Sequence, residues 1–205
     1  RDQALHFISH DIRAPNASIL TLLEMQRNSM EPLQADELLK RIEKYAQASL
    51  SMAESFVRLA SAQSNEYRVA PLDLASVLQD AVDDAWTQAS NQEVSVTILQ
   101  IPHSAPCVGD RPLLARAMAN VLNNAIKYSP ARGTVRCSLY ARGPNWVISI
   151  RDEGPGIDPA QQDRLFKPFS RLHDLTHPNI SGVGLGLALV HTVVKRHGGS
   201  LELES

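Results

Sequence analysis

The chain has 205 residues, 43% of them hydrophobic and 20% charged, so it can bury a core in one large or two small domains. Its 20 basic and 22 acidic side chains leave a formal charge of −2, without the basic excess of proteins that neutralise nucleic-acid phosphates. No apolar run approaches the roughly 20 residues that span a bilayer. We therefore expect neither nucleic acid nor direct membrane contact for this fragment.

Two amphipathic helices are predicted at the start of the chain. Apolar residues recur at alternating steps of three and four over residues 5–22, and a second run repeats these steps over residues 38–59. The loop at residues 28–35 makes the pair a helical hairpin. Because each helix carries one apolar stripe, two hairpins bury far more surface together than one does alone. We expect a homodimer built around a four-helix bundle.

The first candidate for chemistry is His10, which lies beside Asp11 and two residues after the stripe position Ile8. This spacing predicts that His10 lies on the outward face of the first helix. An imidazole with a pKa of about 6.5 keeps a neutral, nucleophilic fraction, and the Asp11 carboxylate can orient the ring and accept its proton. Pro15 predicts a kink just beyond. Taken alone, such a pair is more often a solvated surface histidine, so other motifs have to support the functional interpretation.

The rest of the chain mixes helical and strand patterns. The heptad repeat fades after Ala60 into a polar stretch that indicates an interdomain linker. Beyond Pro71 the pattern predicts helices at residues 74–89 and 112–128, and strands at residues 94–101, 134–141 and 146–151. The predicted fold is α+β, with the helical hairpin followed by an α/β sandwich.

A second candidate site lies on the predicted helix that ends at Tyr128. Asn120 and Asn124 stand four residues apart and therefore share one helix face. Mg²⁺ prefers oxygen ligands, which amide groups supply, and is usually held jointly by a few protein groups and nucleotide phosphates. Lys127 could meet a phosphate charge. The alternative is that the asparagines are ordinary polar residues of a helix surface.

A glycine-bearing loop follows the last predicted strand. Asp152 opens it, and Gly154 and Gly156 allow a ligand to approach the backbone closely. An ionised carboxylate only accepts hydrogen bonds, so Asp152 would pair with an exocyclic amine such as the adenine N6 group. An aspartate with two glycines is also compatible with a simple turn.

Three further glycines, Gly182, Gly184 and Gly186, lead into an apolar helix predicted at residues 188–196. Backbone N–H groups at such a helix start can meet phosphate. The spacing is neither the dinucleotide motif nor a Walker loop, which disfavours both common nucleotide folds. A plain turn into a helix is the alternative.

Between the two glycine segments, residues 158–181 form a long polar stretch that contains Phe166 and Phe169. Long connections inside compact domains are usually functional, so this stretch is interpreted as a mobile lid. The alternative is a small helix with the two phenylalanines in its core.

Cys107 and Cys137 stand too far apart for a local redox pair or cysteine zinc site, which fits a reducing cytoplasm. The first residue is not methionine and the strand-like residues 201–205 stop abruptly, so we expect a fragment of a longer protein. Whether the parent is anchored in the inner membrane through a sensor region outside this sequence stays open.

Taken in order, five segments resemble the H, N, G1, F and G2 boxes of sensor histidine kinases: residues 10–15, 120–129, 152–156, 165–171 and 182–187. The resemblance implies a dimerising hairpin with a phosphoacceptor histidine at residues 1–66. It also implies an ATP-binding domain at residues 67–205, of the fold shared with Hsp90, DNA gyrase and MutL, with the last family strands missing. The implied activity is ATP-dependent phosphorylation of His10, followed by transfer to an aspartate of a response regulator receiver domain.

The resemblance also implies a role for each matching residue. His10 would be the phosphoacceptor and Asp11 its base. Asn120 and Asn124 would organise Mg²⁺, and Asp152 would read adenine. The remaining nucleotide-binding residues implied are Lys127, Tyr128, Gly154, Gly156, Arg171, Gly182, Gly184, Leu185, Gly186 and Leu187.

Two positions depart from the family pattern. Family members with strong phosphatase activity carry threonine or asparagine where this chain has Ala14, so weak dephosphorylation of the partner is expected. Asn16 stands where the family usually has leucine. Two other functions stay open at this point: an ATPase of the wider gyrase and Hsp90 superfamily that does not need His10, and a degenerate dimeric scaffold that docks a regulator.

Overall fold

The computed structural model describes residues 2–29, 32–63, 67–166 and 184–205. The side chains of residues 2–11, 55, 56, 58–63 and 163 lie outside this description. The chain divides after Ala60 into two compact units. None of the described helices is both long and apolar enough to cross a bilayer.

The first unit contains helix α1, Asp2–Asn28, and helix α2, Ala35–Gln63, up to Ala60. Every stripe position with a described side chain is sheltered from solvent: Pro15 is buried, and Ile12, Ile19, Leu22, Leu38, Ile42, Tyr45, Ser49 and Met52 are half-buried. The heptad repeat therefore marks the inward face of each helix. Helix α1 continues through Pro15, and the kink expected there stays a prediction.

Gln26 closes the connection between the two helices. Its Oε1 atom accepts a hydrogen bond from the backbone N–H of Leu33 at 2.9 Å, and its Nε2 donates to the Leu33 carbonyl at 2.8 Å. One carboxamide thus satisfies both backbone groups of a residue in the turn. The predicted helical hairpin is confirmed.

The second unit combines two sheets with helices. Strand β1 (Ala70–Asp73) pairs antiparallel with β3 (Pro106–Gly109). Strand β4 (Thr134–Arg142) lies at the centre of a three-stranded sheet, parallel to β2 (Ser95–Gln100) and antiparallel to β5 (Asn145–Arg151). The described helices of this unit are α3 (Leu74–Asn91), α4 (Arg111–Tyr128), α5 (Pro159–Leu165) and α6 (Gly186–Arg196).

The core lies between helices α3 and α4 and the three-stranded sheet. Alternate residues of β4 are fully buried, as expected for a strand with one face on the core, and both helices present leucine and isoleucine side chains to it. Burying each such side chain contributes about 1.5–3 kcal/mol. The fully buried members include Leu78, Leu122, Ile126, Val135, Cys137 and Leu139. The predicted α+β class with an α/β sandwich is confirmed.

Two aspartates start the helices that carry this core. The Asp73 carboxylate accepts a hydrogen bond from the Ala75 N–H at 2.9 Å at the start of α3. The Asp110 carboxylate accepts one from the Leu113 N–H at 3.1 Å at the start of α4. Each side chain satisfies a backbone donor that the first turn of a helix leaves without a partner.

The structure corrects the predicted elements at several points. Strands β1 and β3 were not predicted, because each has four residues and contains a proline, which weakens a strand pattern. Helix α5 occupies part of the stretch interpreted as a lid. Phe166 follows its last residue, and Phe169 lies outside the described residues, so both the lid and the small-helix core stay predictions. Residues 201–205 are not a strand, because no described strand forms a ladder with them.

Candidate functional site

Helix α4 carries four of the predicted site residues. Asn120 and Asn124 lie one turn apart and are both half-buried, and Lys127 and Tyr128 occupy its last turn. The Lys127 ammonium lies 5.1 Å from the centre of the Tyr128 ring, within the range of a cation–π contact. The end of α4 therefore presents amide oxygens, a cation and an aromatic ring.

The start of helix α6 lies against Asn120. A Cβ atom built on Gly186 would stand 3.3 Å from the Asn120 Oδ1 atom, so the absence of a side chain there allows the close approach. Gly184 has a positive φ of 71°, a conformation that glycine adopts without strain. Thus two motifs that are far apart in sequence meet at the amide of Asn120.

Among the described residues, no side chain caps the first turn of α6. Its N-cap residue, Leu185, is buried and makes no capping hydrogen bond, and no acidic residue lies in the first turn. Backbone N–H groups at such a helix start, together with the helix dipole, attract anions. This end of α6 is chemically suited to phosphate.

The loop after β5 is folded around Asp152. The Asp152 Oδ1 atom accepts a hydrogen bond from the Gly154 N–H at 2.8 Å, and the exposed side chain keeps its other oxygen for a ligand. A Cβ atom on Gly154 would stand 3.0 Å from the Tyr128 carbonyl oxygen, so this glycine allows the loop to lie against the end of α4. Gly156 has a positive φ of 77°.

A cleft of about 410 Å³ joins the end of α4 to this loop. Its lining includes Lys127, Tyr128 and Ser129 from the helix side, and Glu153 and Gly154 from the loop side. Clefts of this size suit small ligands. The last turn of α4 and the loop after Asp152 therefore border a common space, which Asn120, Asn124 and Asp152 do not line.

Glu153, which fastens the loop beside the site, is a residue that the sequence analysis missed. Its carboxylate accepts hydrogen bonds from the Thr134 N–H at 3.1 Å and from the Arg136 guanidinium at 2.9 Å. These two bonds hold the pKa of Glu153 below its ordinary range, and the bond from the Thr134 N–H has the larger effect. The side chain is therefore ionised at neutral pH. Its partners Thr134 and Arg136 lie on β4, up to nineteen positions earlier in the chain. No regular spacing in the sequence indicates this pairing.

Four predicted residues lie wholly or partly outside the described part of the chain. His10 and Asp11 belong to helix α1, but their side chains lie outside the described residues. Arg171 and Gly182 lie outside the described residues altogether, as does Phe169. The roles assigned to His10, Asp11, Arg171 and Gly182 stay predictions.

The oxygen ligands at this site fit magnesium only when phosphate oxygens are also present. Within the described ranges, no group of three or more His, Cys, Asp or Glu side chains could hold a metal ion by itself. Asn120 and Asn124 supply neutral amide oxygens, and Mg²⁺ usually shares such groups with water and nucleotide phosphates. The residues present therefore fit a Mg²⁺–nucleotide complex.

Residues 109–205 match the family model described as histidine kinase-, DNA gyrase B-, and HSP90-like ATPase. The sensor-like histidine kinase SenX3 of Mycolicibacterium smegmatis is 32% identical over 204 residues, with 97% of this chain and 52% of the relative covered. The chain spans about half the length of the curated relatives it matches.

Two solved structures are also similar. The mycobacterial sensor histidine kinase MprB is 35% identical, with a TM-score of 0.55 over 65% of this chain and 83% of that chain. Histidine kinase ThkA, solved in complex with the response regulator protein TrrA, has a TM-score of 0.75 over 96% of this chain and 55% of that chain. At 16% identity, the second likeness shows the fold alone.

Proposed function

The chain belongs to the histidine kinase family, and from that membership we propose that it phosphorylates its own His10 with ATP and passes the phosphoryl group to an aspartate of a response regulator. The observation that carries the proposal is the approach of Gly186 to Asn120. It brings an uncapped helix start, suited to phosphate, against an amide suited to Mg²⁺.

The nucleotide is oriented from both ends of this site. Asp152 accepts a hydrogen bond from the adenine N6 group with the carboxylate oxygen that Gly154 does not use. Tyr128 flanks the nucleotide, and the Lys127 ammonium meets a phosphate charge. The turn at Gly184, Leu185, Gly186 and Leu187 donates backbone hydrogen bonds to the phosphates, and Gly156 allows the backbone of the loop to approach the nucleotide closely.

Asn120 and Asn124 would hold the metal of the Mg²⁺–ATP complex through their amide oxygens. When bound, Mg²⁺ neutralises part of the phosphate charge that develops during phosphoryl transfer. Because the amides are uncharged, the affinity for the metal depends on the nucleotide being present.

His10 is the nucleophile. One of its ring nitrogens attacks the γ-phosphorus, a P–N bond forms as the bond to the β-phosphate oxygen breaks, ADP leaves, and Asp11 accepts the imidazole proton. The carboxylate of the response regulator aspartate then attacks the same phosphorus. The P–N bond breaks in this second step, Asp11 returns the proton to the ring, and unmodified His10 is restored.

The hairpin offers a surface for a second copy. Helix α2 exposes a second apolar stripe formed by Leu39, Leu50 and Val57, and each of these side chains is more than 60% exposed. Leu20 and Leu23 are also exposed on α1. Apolar groups on two adjacent stripes are what a helix in a four-helix bundle requires. We therefore propose a homodimer through residues 1–66, with residues 67–205 as the ATP-binding domain.

Two free cysteines and the use of ATP favour a cytoplasmic location for this fragment. Anchoring of the parent in the inner membrane is compatible with that location.

The test is incubation with γ-labelled ATP and Mg²⁺, comparing the wild-type chain with His10→Gln. We expect an acid-labile, alkali-stable label that disappears in His10→Gln and persists in the matched control His6→Gln, one helical turn away. Transfer is tested by adding purified receiver domains and following the loss of label from the kinase.

Two results would contradict the proposal. ATP turnover without labelled protein would identify an ATPase of the wider superfamily. Absence of nucleotide binding would identify a scaffold.

A further inference from the structure

Glu153 fastens the loop that carries Asp152 to the central strand of the sheet. Its Oε2 atom accepts the Thr134 N–H at 3.1 Å, and its Oε1 atom accepts the Arg136 guanidinium at 2.9 Å. Thr134 and Arg136 lie at the beginning of β4. Both oxygens of one carboxylate are therefore used to hold the loop against the edge of the core.

The residues on either side of Glu153 are held as well. Asp152 bonds the Gly154 N–H, and Gly154 lies against the Tyr128 carbonyl, where a Cβ atom would stand 3.0 Å away. The loop is thus attached to β4 through Glu153 and packed on α4 through Gly154. Two separate contacts determine where the Asp152 carboxylate points.

We propose that Glu153 is a positioning residue that determines the preference for ATP over GTP by holding Asp152 in place. This inference rests on the proposed function, because it requires that Asp152 reads adenine. Adenine presents an amino group at position 6 and guanine a carbonyl oxygen there, so a fixed carboxylate attracts the first and repels the second. A carboxylate that moves loses part of both effects.

The contacts of Glu153 affect the position of the loop more than the stability of the domain. The Arg136 and Glu153 side chains are each 40% exposed, and ion pairs of this exposure add little to the stability of a fold. Loss of Glu153 should therefore release the loop without unfolding the domain.

The experiment measures ATP and GTP dissociation constants and the rate of autophosphorylation at saturating ATP for the whole chain. For Glu153→Ala we expect ATP binding to weaken about tenfold, GTP binding to change less than about twofold, and the saturated rate to stay within about twofold. Glu153→Gln keeps an acceptor for Thr134 but loses the charge that faces Arg136, so its effect should be intermediate. Arg136→Gln tests the same ion pair from β4.

Glu93→Ala is the matched control, because Glu93 is another exposed glutamate paired with an arginine, Arg132, in the same unit. Glu93→Ala should leave the ratio of the ATP and GTP dissociation constants unchanged. If Glu153→Ala lowers the melting temperature but keeps the wild-type ratio, Glu153 is only structural and the inference is wrong. If Glu153→Gln and Arg136→Gln both keep the wild-type ratio of ATP to GTP affinity, the inference is overturned even if the alanine variant does not fold.

The two proposals fail in different ways. If the wild-type chain binds neither nucleotide, the proposed function and this inference both fall. If the wild-type chain prefers ATP and every Glu153 and Arg136 variant keeps that preference, only the positioning role falls. If ATP binds and His10 is not labelled, the positioning role can hold for an ATPase while the proposed kinase function falls.

Discussion

The Nε2 atom of His197 accepts a hydrogen bond from the backbone N–H of Asp110 at 2.9 Å, across 87 positions of sequence. Because that nitrogen must be unprotonated to accept, the ring proton is on Nδ1, which lies 2.7 Å from the Val193 carbonyl and donates to it. One neutral imidazole thus ties the end of α6 to the start of α4. These are the two helices that meet at Asn120.

Gly109→Ala should destabilise the second unit by about 1–3 kcal/mol, as expected for overpacking. A Cβ atom there would stand 2.7 Å from the His197 Cδ2 atom and 3.0 Å from the Leu114 side chain, and His197 is held by both ring nitrogens. Urea unfolding measures the change. In a double-mutant cycle with His197→Ala the penalty should shrink; equal penalties in both backgrounds would refute the clash with the imidazole.

Asp73→Ala should lower stability at neutral pH and not at low pH. The Ala105 N–H, the Ser104 hydroxyl and the Ala75 N–H hold the pKa of Asp73 below its ordinary range. A lowered pKa means that the stabilisation is present above the ordinary aspartate range and is lost as the pH falls through the lowered value. Melting curves of the variant and wild type should converge in acid.

Asp84→Ala is the control for this experiment, because Asp84 is exposed on α3, the helix that Asp73 caps. Its melting temperature should differ little from wild type across the pH range. If the difference in melting temperature between Asp73→Ala and wild type stays constant with pH, the role of the ionised carboxylate is contradicted.

Cys137 should react with thiol reagents only after unfolding. Its side chain is fully buried, and burial raises its pKa to about 11, so the reactive thiolate is scarce at pH 8 in the native state. In a Cys107→Ser background, alkylation at about pH 8 should be negligible without denaturant and complete with it. Rapid labelling of the native variant would show that this part of the core is open.

Asn120→Ala and Asn124→Ala should each reduce autophosphorylation by about tenfold or more, since each removes an amide oxygen from the proposed Mg²⁺ site. Asn123→Ala is the matched control, because Asn123 is exposed on the same helix between them. Initial rates of labelling with ATP measure the effect, and excess chelator should abolish labelling of the wild type. Equal losses in all three variants would indicate damage to α4 rather than loss of a ligand.

Leu50→Glu should convert the proposed dimer into a monomer, because it places a carboxylate on the exposed apolar stripe of α2. Light scattering after size exclusion gives the mass directly. Leu99→Glu, which alters a leucine of similar exposure in the second unit, should leave the mass unchanged. A wild-type chain that is already monomeric would contradict the four-helix bundle.

Several features were predictable because their signals are local. The heptad repeat from Ile12 to Met52 marks the sheltered helix faces, since helical geometry returns a side chain to the same face every three or four residues. The four-residue spacing of Asn120 and Asn124 placed both on one face of α4 for the same reason. Helix α5 was also detectable, because Asp158 caps it and Pro159 opens it, a known start signal.

Tertiary structure alone decided which of these local features meet. The pairing of β1 with β3, the approach of Gly186 to Asn120, and the bonds from Glu153 to β4 all join segments whose separation in sequence carries no periodic signal. Strand register and helix packing set such contacts, and they depend on the whole core being assembled. The sequence by itself determined the two helical stripes, the motifs and their chemistry; only the folded chain determined which motifs lie against one another and which residue fastens the Asp152 loop to β4.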